Sequence, residues 1–347
     1  MKYIGSKQKL LPFIKENIIE KIGYNPNWTV CDLFSGTGVV SKMFRNIGFK
    51  NIIANDFQFF SYVITKSYLL NKKDLQFKHF GGCYEAINYF NNNLEPFEGF
   101  VTRNFSPISL KYCGIERKFF TVENAMKIDA AVITAYKFIK EKFINESEFI
   151  YLLSSILLAL DRVSNTTPVY GAFLKDFSKH KRSLDPFLLK EIDIPKGEIN
   201  ATVYNKDALE LIDKIEGDIL YLDPPYNTRQ YTLNYHVIET IAQNQQPELK
   251  GVSGLPSCEI PKSPFSSKKI APFAFERLIS NAKFNYVFIS YNNNEGILEH
   301  DFFIDILQKE YKNVGMIKKE YRKYKSNLKR NGGNTVSELL FFGLNKK

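Results

Sequence analysis

Three features of this 347-residue sequence predict a doubly wound α/β sheet of mixed strand direction that carries a mostly helical insertion. A strand, a glycine turn with its helix, and a second strand succeed one another between residues 29 and 56, the order of a parallel βαβ unit. The segment 86–195 then reads as long helices joined by loops rich in Asn, Ser, Thr and Lys. Strand-like runs return from residue 196, so one α/β unit is assembled from 1–85 and 196–347 around the helical block.

Taken in order, "KQKLLPFIKENIIEKIG" spaces Leu10, Leu11, Ile14, Ile18 and Ile22 at helical intervals, and Pro12 limits how early the helix starts. "TVCDLF" is a short apolar strand, "SGTGVVSKMFRNIG" a turn and a helix ending at Gly48, and "NIIAND" the second strand. "ENAMKIDAAVITAYKFIKEKF" and "SEFIYLLSSILLALDRVSN" are the long helices of the insertion. "NATVY" and "GDILYLD" resume the strands. After a loop over roughly 244–272 come the helix "FAFERLISNAKF" and the strand "YVFISY". The tail adds the helix "FFIDILQKEY", the strand "VGMIKKEYRKY", a basic turn at Gly332-Gly333 and a last strand, "SELLFFGL".

Composition narrows the classes of function. The aromatic share of 15% leaves rings for stacking a ligand or a base, and a formal charge of +10 favours a polyanionic partner. The four cysteines contain no CxxC pair and the four histidines are dispersed, so neither a zinc site nor a disulfide framework is expected. No run is long enough for a signal peptide or a membrane span, and the expected compartment is the cytoplasm.

A first site is predicted at "DLFSGTG", which follows a strand and opens a helix. Gly36 and Gly38 let the chain turn sharply and let a ligand approach the backbone past Phe34 and Ser35. Asp56, beside Phe57, closes the next strand about 20 residues on, where an acid can accept from two ribose hydroxyls. The turn is not GxGxxG, and Asp32 disfavours a pyrophosphate. An adenine nucleoside without phosphates, bearing a sulfonium and an α-amino group, tolerates that acid better. The plainer alternative is a tight βα turn packed for its own sake.

A second site is predicted at "DILYLDPPYNTRQY". Ligands of open parallel sheets bind beyond the carboxyl ends of the strands, which is where Asp223 emerges from "ILYL". Pro224 and Pro225 stiffen the segment and keep their carbonyls free to accept, and Tyr226 offers a flat face for an extruded base. A carboxylate and a fixed carbonyl are two acceptors for the two donors of an exocyclic –NH₂. The N6 lone pair of adenine is delocalised into its ring. Acceptors that pull on its protons favour a more tetrahedral nitrogen whose lone pair can meet a methyl donor, so catalysis is positioning and electrostatics.

"YIGSK", "DLFSGTG", "ND", "KDA" and "DPPY", in that order, resemble the D12-class S-adenosylmethionine-dependent N6-adenine DNA methyltransferases of the α arrangement. "RVSNTTPVYGAF" and "DPPYNTRQYTLNYH" point to the type II restriction-modification subgroup. The resemblance implies a Rossmann-like methyltransferase fold, with 1–85 and 196–347 as the cofactor-binding catalytic domain and 86–195 as the target-recognition domain. It implies Tyr3 and Lys7 as cofactor neighbours, with Lys7 or nearby backbone meeting the cofactor carboxylate. Asp32 and the FSGTG backbone would hold the amino-acid end, Asp56 the ribose and Asp207 the adenine edge, with Asp223 between cofactor and substrate. Lys7 could instead be a solvated lysine at a helix start, and Asp207 a helix cap before "ALELI".

The implied partners are double-stranded DNA and a cognate restriction endonuclease, with no membrane and no metal. Arg162, Asn165, Thr166, Thr167 and Tyr170 suit base edges or phosphates, and Lys175, Lys179, Lys181 and Arg182 form a basic run. Lys325, Lys329 and Arg330 are placed along the DNA backbone near the flipped base, and Asn227–Tyr231, with Arg229 as a DNA contact, and the loop 244–272 are expected to close over substrate. Rival readings are an RNA adenine-N6, protein amide or DNA cytosine-N4 methyltransferase, an inactive nucleic-acid-binding module, and a nicotinamide-dependent dehydrogenase. The missing dinucleotide fingerprint disfavours the last.

Overall fold

The computed structural model describes residues 1, 3–225, 227–228, 230–258, 260–292, 296–322 and 335–347. In these, β1 (Thr29–Asp32), β2 (Asn51–Asn55), β3 (Asn200–Tyr204), β4 (Glu216–Leu222), β7 (Lys283–Asn292), β8 (Tyr311–Arg322) and β9 (Thr335–Lys346) form one sheet, while β5 (Leu249–Lys250) and β6 (Leu255–Pro256) form a small hairpin. The sheet order is β3-β2-β1-β4-β7-β9-β8. Its first five strands are parallel, and β9 is antiparallel to both of its neighbours. The chain works outward from β1 to β3, then returns to the other side of β1 with β4. That reversal is the switch point of a doubly wound sheet, and it lies between β1 and β4.

The apolar run of β4 is explained by its two covered faces. Successive side chains point to opposite faces. Leu220 and Leu222 pack with the helices Ala271–Asn281 and His300–Glu310. Ile219 and Tyr221 pack with α1 (Leu11–Ile22) and α2 (Val39–Ile47). Each such apolar side chain, removed wholly from water, contributes about 1.5–3 kcal/mol before entropy is charged. Pro12 sits in the first turn of α1, where its missing N–H costs nothing.

A third core lies under the insertion. Ile128, Leu152, Leu153 and Ile156 of the long helices Val122–Lys140 and Glu146–Val163 pack with Phe60, Val63 and Ile64 of α3 (Phe59–Tyr68) and with Val237 and Ile238 of the helix His236–Ala242. The second long helix starts with a capping box, in which Asn145 and Glu148 exchange side-chain and backbone bonds of 2.9 Å. Described residues between 69 and 199 form helices and 3₁₀ turns with one isolated bridge, Thr166–Phe173. The insertion therefore shares its core with α3 and with the helix that follows the DPPY segment.

One buried arginine secures both ends of this block. Arg45 of α2 donates to the carbonyls of Tyr68 and Leu70, where the insertion begins, and to those of Pro195 and Gly197, where it finishes. The region 244–272, expected to be a loop, contains the β5–β6 hairpin. Arg117 holds it through the carbonyls of Gly251 and Val252, and His236 through that of Ser253.

Candidate active site

Asp32 is the last residue of β1 and pairs in register with Tyr221 of β4, so Asp223, just past Leu222, emerges beside it. Asp56 follows β2 on the other side of β1. Backbone bonds from Ser35 N to the Asn55 carbonyl and from Leu33 N to the Tyr221 carbonyl carry the pairing past the strand ends. Three adjacent strands thus deliver three carboxylates to one edge of the sheet. They face a cleft of about 1020 Å³, partly open to solvent.

Within that cleft the structure brings together Tyr3, Lys7, Asp32, Phe34, Ser35, Gly36, Asp56, Phe57, Asp207, Asp223, Pro224 and Pro225. Gly36 has φ +52°, and a Cβ there would sit 3.1 Å from the Tyr3 ring. Tyr3 covers the glycine turn, and its ring stacks on Tyr235 at 4.7 Å. Gly38 is a correction. It does not line the cleft, and a Cβ at its φ of +71° would lie 2.9 Å from Thr65 Cα, so its glycine serves α2–α3 packing. Asp207 caps the one-turn helix Ala208–Leu211, accepting from Leu209 N at 2.8 Å, and it also lines the cleft.

The three carboxylates are unequally satisfied. Asp56 accepts from Gly36 N (2.7 Å) and Gln58 N (2.9 Å). Asp32 accepts from Ser41 Oγ through Oδ2 (2.6 Å), while its buried Oδ1 has no partner among the described residues. Burial pushes Asp32, Asp56 and Asp223 each up to about 7. The Ser41 bond opposes this at Asp32, backbone bonds from Gln58 and Gly36 at Asp56, and the Lys7 charge at Asp223. The orphaned Asp32 oxygen, beside the half-buried Asp56 and the Lys7-paired Asp223, leaves one acidic acceptor in the cleft without a positive partner. A ligand with a cationic centre and an amino group fits it.

Lys7 lines the cleft, with its ammonium held by two carboxylates of the chain itself. It is 3% exposed, and its Nζ lies 3.0 Å from Asp223 Oδ1 and 2.7 Å from Glu338 Oε1. Glu338, on β9, also accepts from Ser290 Oγ at 2.6 Å. Sequence reading missed Glu338 and also Gln58, which lines the cleft; Gln230, Tyr231 and Phe265, which line it too, belong to the segments 227–231 and 244–272 that the sequence offers as closing over substrate. Gln230 exchanges two amide bonds with the Ser263 backbone, and Thr232 Oγ1 donates to the Pro261 carbonyl, so residues after DPPY are strapped to the loop before Phe265. The buried Gln58 Nε2 has no partner among the described residues. Its place two residues after Asp56, at the same strand end, is the sequence signal that leads to it.

Several residues expected to meet DNA point elsewhere. Asn165 is fully buried, its amide nitrogen donating to the carbonyls of Lys118 and Leu174. Thr166 is buried and bonded to Ser164 Oγ, and Tyr170 is 1% exposed with its hydroxyl on Asp161. These three hold the insertion together, and their expected DNA contact is withdrawn. Arg162 is half-buried and donates to the Leu188 carbonyl at 3.3 Å, whereas Lys175 is exposed. Tyr226, Arg229, Lys325, Lys329 and Arg330 lie outside the described residues. Among the described residues no helix is long and apolar enough to cross a membrane, and no group of three or more His, Cys, Asp or Glu is placed to hold a metal.

A switch-point cleft with an acid after each of three parallel strands, on a sheet closed by an antiparallel β9, defines a Rossmann-like methyltransferase fold. The chain matches the D12 class N6 adenine-specific DNA methyltransferases over residues 3–306, and it belongs to that family. It is 39% identical over 350 aligned residues to the type II methyltransferase M.FokI of Planomicrobium okeanokoites, covering 99% of this chain but 52% of that protein. It is 37% identical to the type II methyltransferase M.NlaIII of Neisseria lactamica, covering 94% of this chain and 96% of that protein. The modification methylase StsI of Streptococcus sanguinis is 37% identical, over 99% of this chain and 51% of the relative. The chain thus spans about half the length of two of these relatives and nearly all of the third. Among solved structures, the rRNA methyltransferase aviRa of Streptomyces viridochromogenes aligns over 98% of this chain and 86% of its own, at 9% identity and a TM-score of 0.33. That likeness is too slight to add to the family match.

Proposed function

We propose that the chain methylates the N6 amine of an adenine turned out of duplex DNA, using S-adenosylmethionine, in the cytoplasm and as the protective partner of a restriction endonuclease. The observation that carries this is the meeting of Asp32, Asp56 and Asp223 in one cleft, with Pro224 and Pro225 stiffening the segment beyond the last of them. S-adenosylmethionine, when bound, supplies a methyl carbon on a sulfonium and a cationic α-amino group. Asp32, through its unpartnered Oδ1, is the acceptor available for that amino group, and Asp56 and Asp207 are the acceptors for the nucleoside end. Tyr3 and Phe34 line the cleft with aromatic rings.

Asp223 has one oxygen on Lys7 and is thereby oriented across the cleft mouth. Together with the Pro224 carbonyl it would take the two protons of the substrate amine and stabilise the positive charge that grows on nitrogen as the methyl group arrives. The exposed Lys175, with Arg229, Lys325, Lys329 and Arg330, would supply phosphate contacts that position the duplex.

The test is methyl transfer from labelled cofactor to duplex DNA, followed by nucleoside analysis of the product. N6-methyladenine in duplex DNA is the expected result. N4-methylcytosine, or label carried only by RNA, would overturn the assignment, and long-read sequencing of the same product would give the flanking motif.

A further inference from the structure

Lys7 is buried between two carboxylates from distant parts of the chain. It lies on the turn Lys7–Lys9, Asp223 follows β4, and Glu338 is 331 residues away on β9, in register with Asn292 of β7. The lysine and the Ser290 hydroxyl both donate to the same oxygen, Glu338 Oε1, at 2.7 and 2.6 Å. Glu338 is 2% exposed and Lys7 3%, so neither partner is replaced by water. A lysine side chain is a flexible four-carbon stem carrying a point charge, and it takes direction only from what holds its head. The family match ends at residue 306, and Glu338 lies beyond it.

We infer that Glu338 is a positioning residue for methyl transfer: by holding Lys7 from β9, it fixes the Asp223 carboxylate with Oδ1 on the lysine and its other oxygen turned toward the substrate amine. Without that hold Lys7 can follow Asp223, and the carboxylate can rotate with it. A purely structural tie between the N-terminal turn and the sheet would use the same contacts but would leave the methyl-transfer rate of the folded, ligand-saturated protein alone. The charged and titratable groups that act on Asp223 or feel it are Lys7, Glu338, Tyr221, Asp32 and Tyr3. Of these, Lys7 lowers and Glu338 raises its affinity for a proton. Removing the Glu338 charge therefore makes Asp223 easier to ionise. If the ionised form is the active one, the acid limb of the methyl-transfer profile moves to lower pH.

The inference rests on Asp223 being the acceptor of the substrate amine, and the test separates the two. Single-turnover methyl transfer to duplex DNA is measured against pH for the full chain and for Glu338→Gln, Glu338→Asp, Lys7→Met, the Lys7→Met/Glu338→Gln double variant and Asp223→Ala. Glu338→Gln should lose about tenfold or more in the methyl-transfer rate, with cofactor and DNA dissociation constants changed less than about threefold, and its acid limb should move down. Glu338→Asp should recover part of the loss. In the Lys7→Met background Glu338→Gln should cost little more, because the two act as one unit. Wild-type rate and profile in Glu338→Gln, or additive losses in the double variant, overturn the inference. Should Glu338→Gln not fold, Ser290→Ala decides in its place: a smaller loss of rate supports the inference, and an unchanged rate and profile overturn it. An active Asp223→Ala would bring down the reading of the site itself. A dead Asp223→Ala beside a wild-type Glu338→Gln brings down this inference alone.

Discussion

Asp129 in the insertion and Asp32 at the sheet edge are both buried carboxylates, 3% and 1% exposed, with opposite surroundings. Asp129 accepts four bonds at the start of the helix Phe100–Phe105, from the amides of Gly99, Val101 and Thr102 and from the Thr102 hydroxyl, at 2.7 to 3.0 Å. Asp32 accepts one described bond and leaves Oδ1 bare. Thr166 and Tyr170 satisfy the insertion's own chain and Arg117 holds the β5–β6 hairpin, whereas the bare Asp32 Oδ1 belongs to a residue that lines the cleft. Asn165 Oδ1 is also without a partner among the described residues, but Asn165 does not line the cleft. An unmet buried carboxylate oxygen marks a ligand site where its residue also lines a cleft, and a fully bonded one marks a scaffold.

The largest effect that would sharpen this contrast is on stability. Asp129→Ala strands three amides at a buried helix start and should cost about 3–5 kcal/mol, read by denaturant unfolding. Asp32→Asn keeps an acceptor for Ser41 and removes an unmatched charge. It should leave the melting temperature unchanged or higher while weakening cofactor binding at least about tenfold, or 1.4 kcal/mol. Equal destabilisation by the two variants would break the comparison.

A pH series is the next in size. Asp32, Asp56 and Asp223 are raised to about 7 in the folded chain, chiefly by burial. Between the ordinary carboxylate value of about 4 and that value, the folded state holds protons that the unfolded state has lost. Their contribution to stability therefore falls as pH rises through that window. A cationic ligand favours the ionised forms, so cofactor affinity should climb over the same window, by up to about tenfold per pH unit for each proton released. Melting curves with and without cofactor, compared with Asp32→Asn, check the sign, and an affinity flat across the window would contradict it.

The smallest effects concern DNA. Tyr170→Phe should cost about 1 kcal/mol of stability through the lost Asp161 bond and leave DNA affinity alone. Lys175→Ala should leave stability alone and reduce the salt slope of DNA binding by about 1. Titrations at several salt concentrations would expose any exchange of these two roles.

These opposite outcomes explain what could be read in advance. Asp32, Asp56 and Asp223 were legible because strand patterning places a residue at a strand end from local sequence, and the switch point collects strand ends. The two long helices and the return of strands near residue 196 were legible for the same reason, from periodicity. Asn165, Thr166 and Tyr170 were misread because the carbonyls and acids that bury them, on Lys118, Leu174 and Asp161, reveal themselves only after folding. Glu338 was invisible because its meaning comes from Lys7, at the far end of the chain. The glycine of the FSGTG turn shows both sides: Gly36 meets the cleft as expected, and Gly38 answers to Thr65 of a helix not yet in view.

The central claim is that Asp223 grips the substrate amine, and Asp223→Ala tests it without stranding a buried cation, because Glu338 still pairs with Lys7. The decisive measurement is single-turnover methyl transfer by this variant beside its cofactor dissociation constant. A loss of about a thousandfold in rate, with cofactor binding within about threefold of the wild type, is the predicted result. Methyl transfer at the wild-type rate would contradict it.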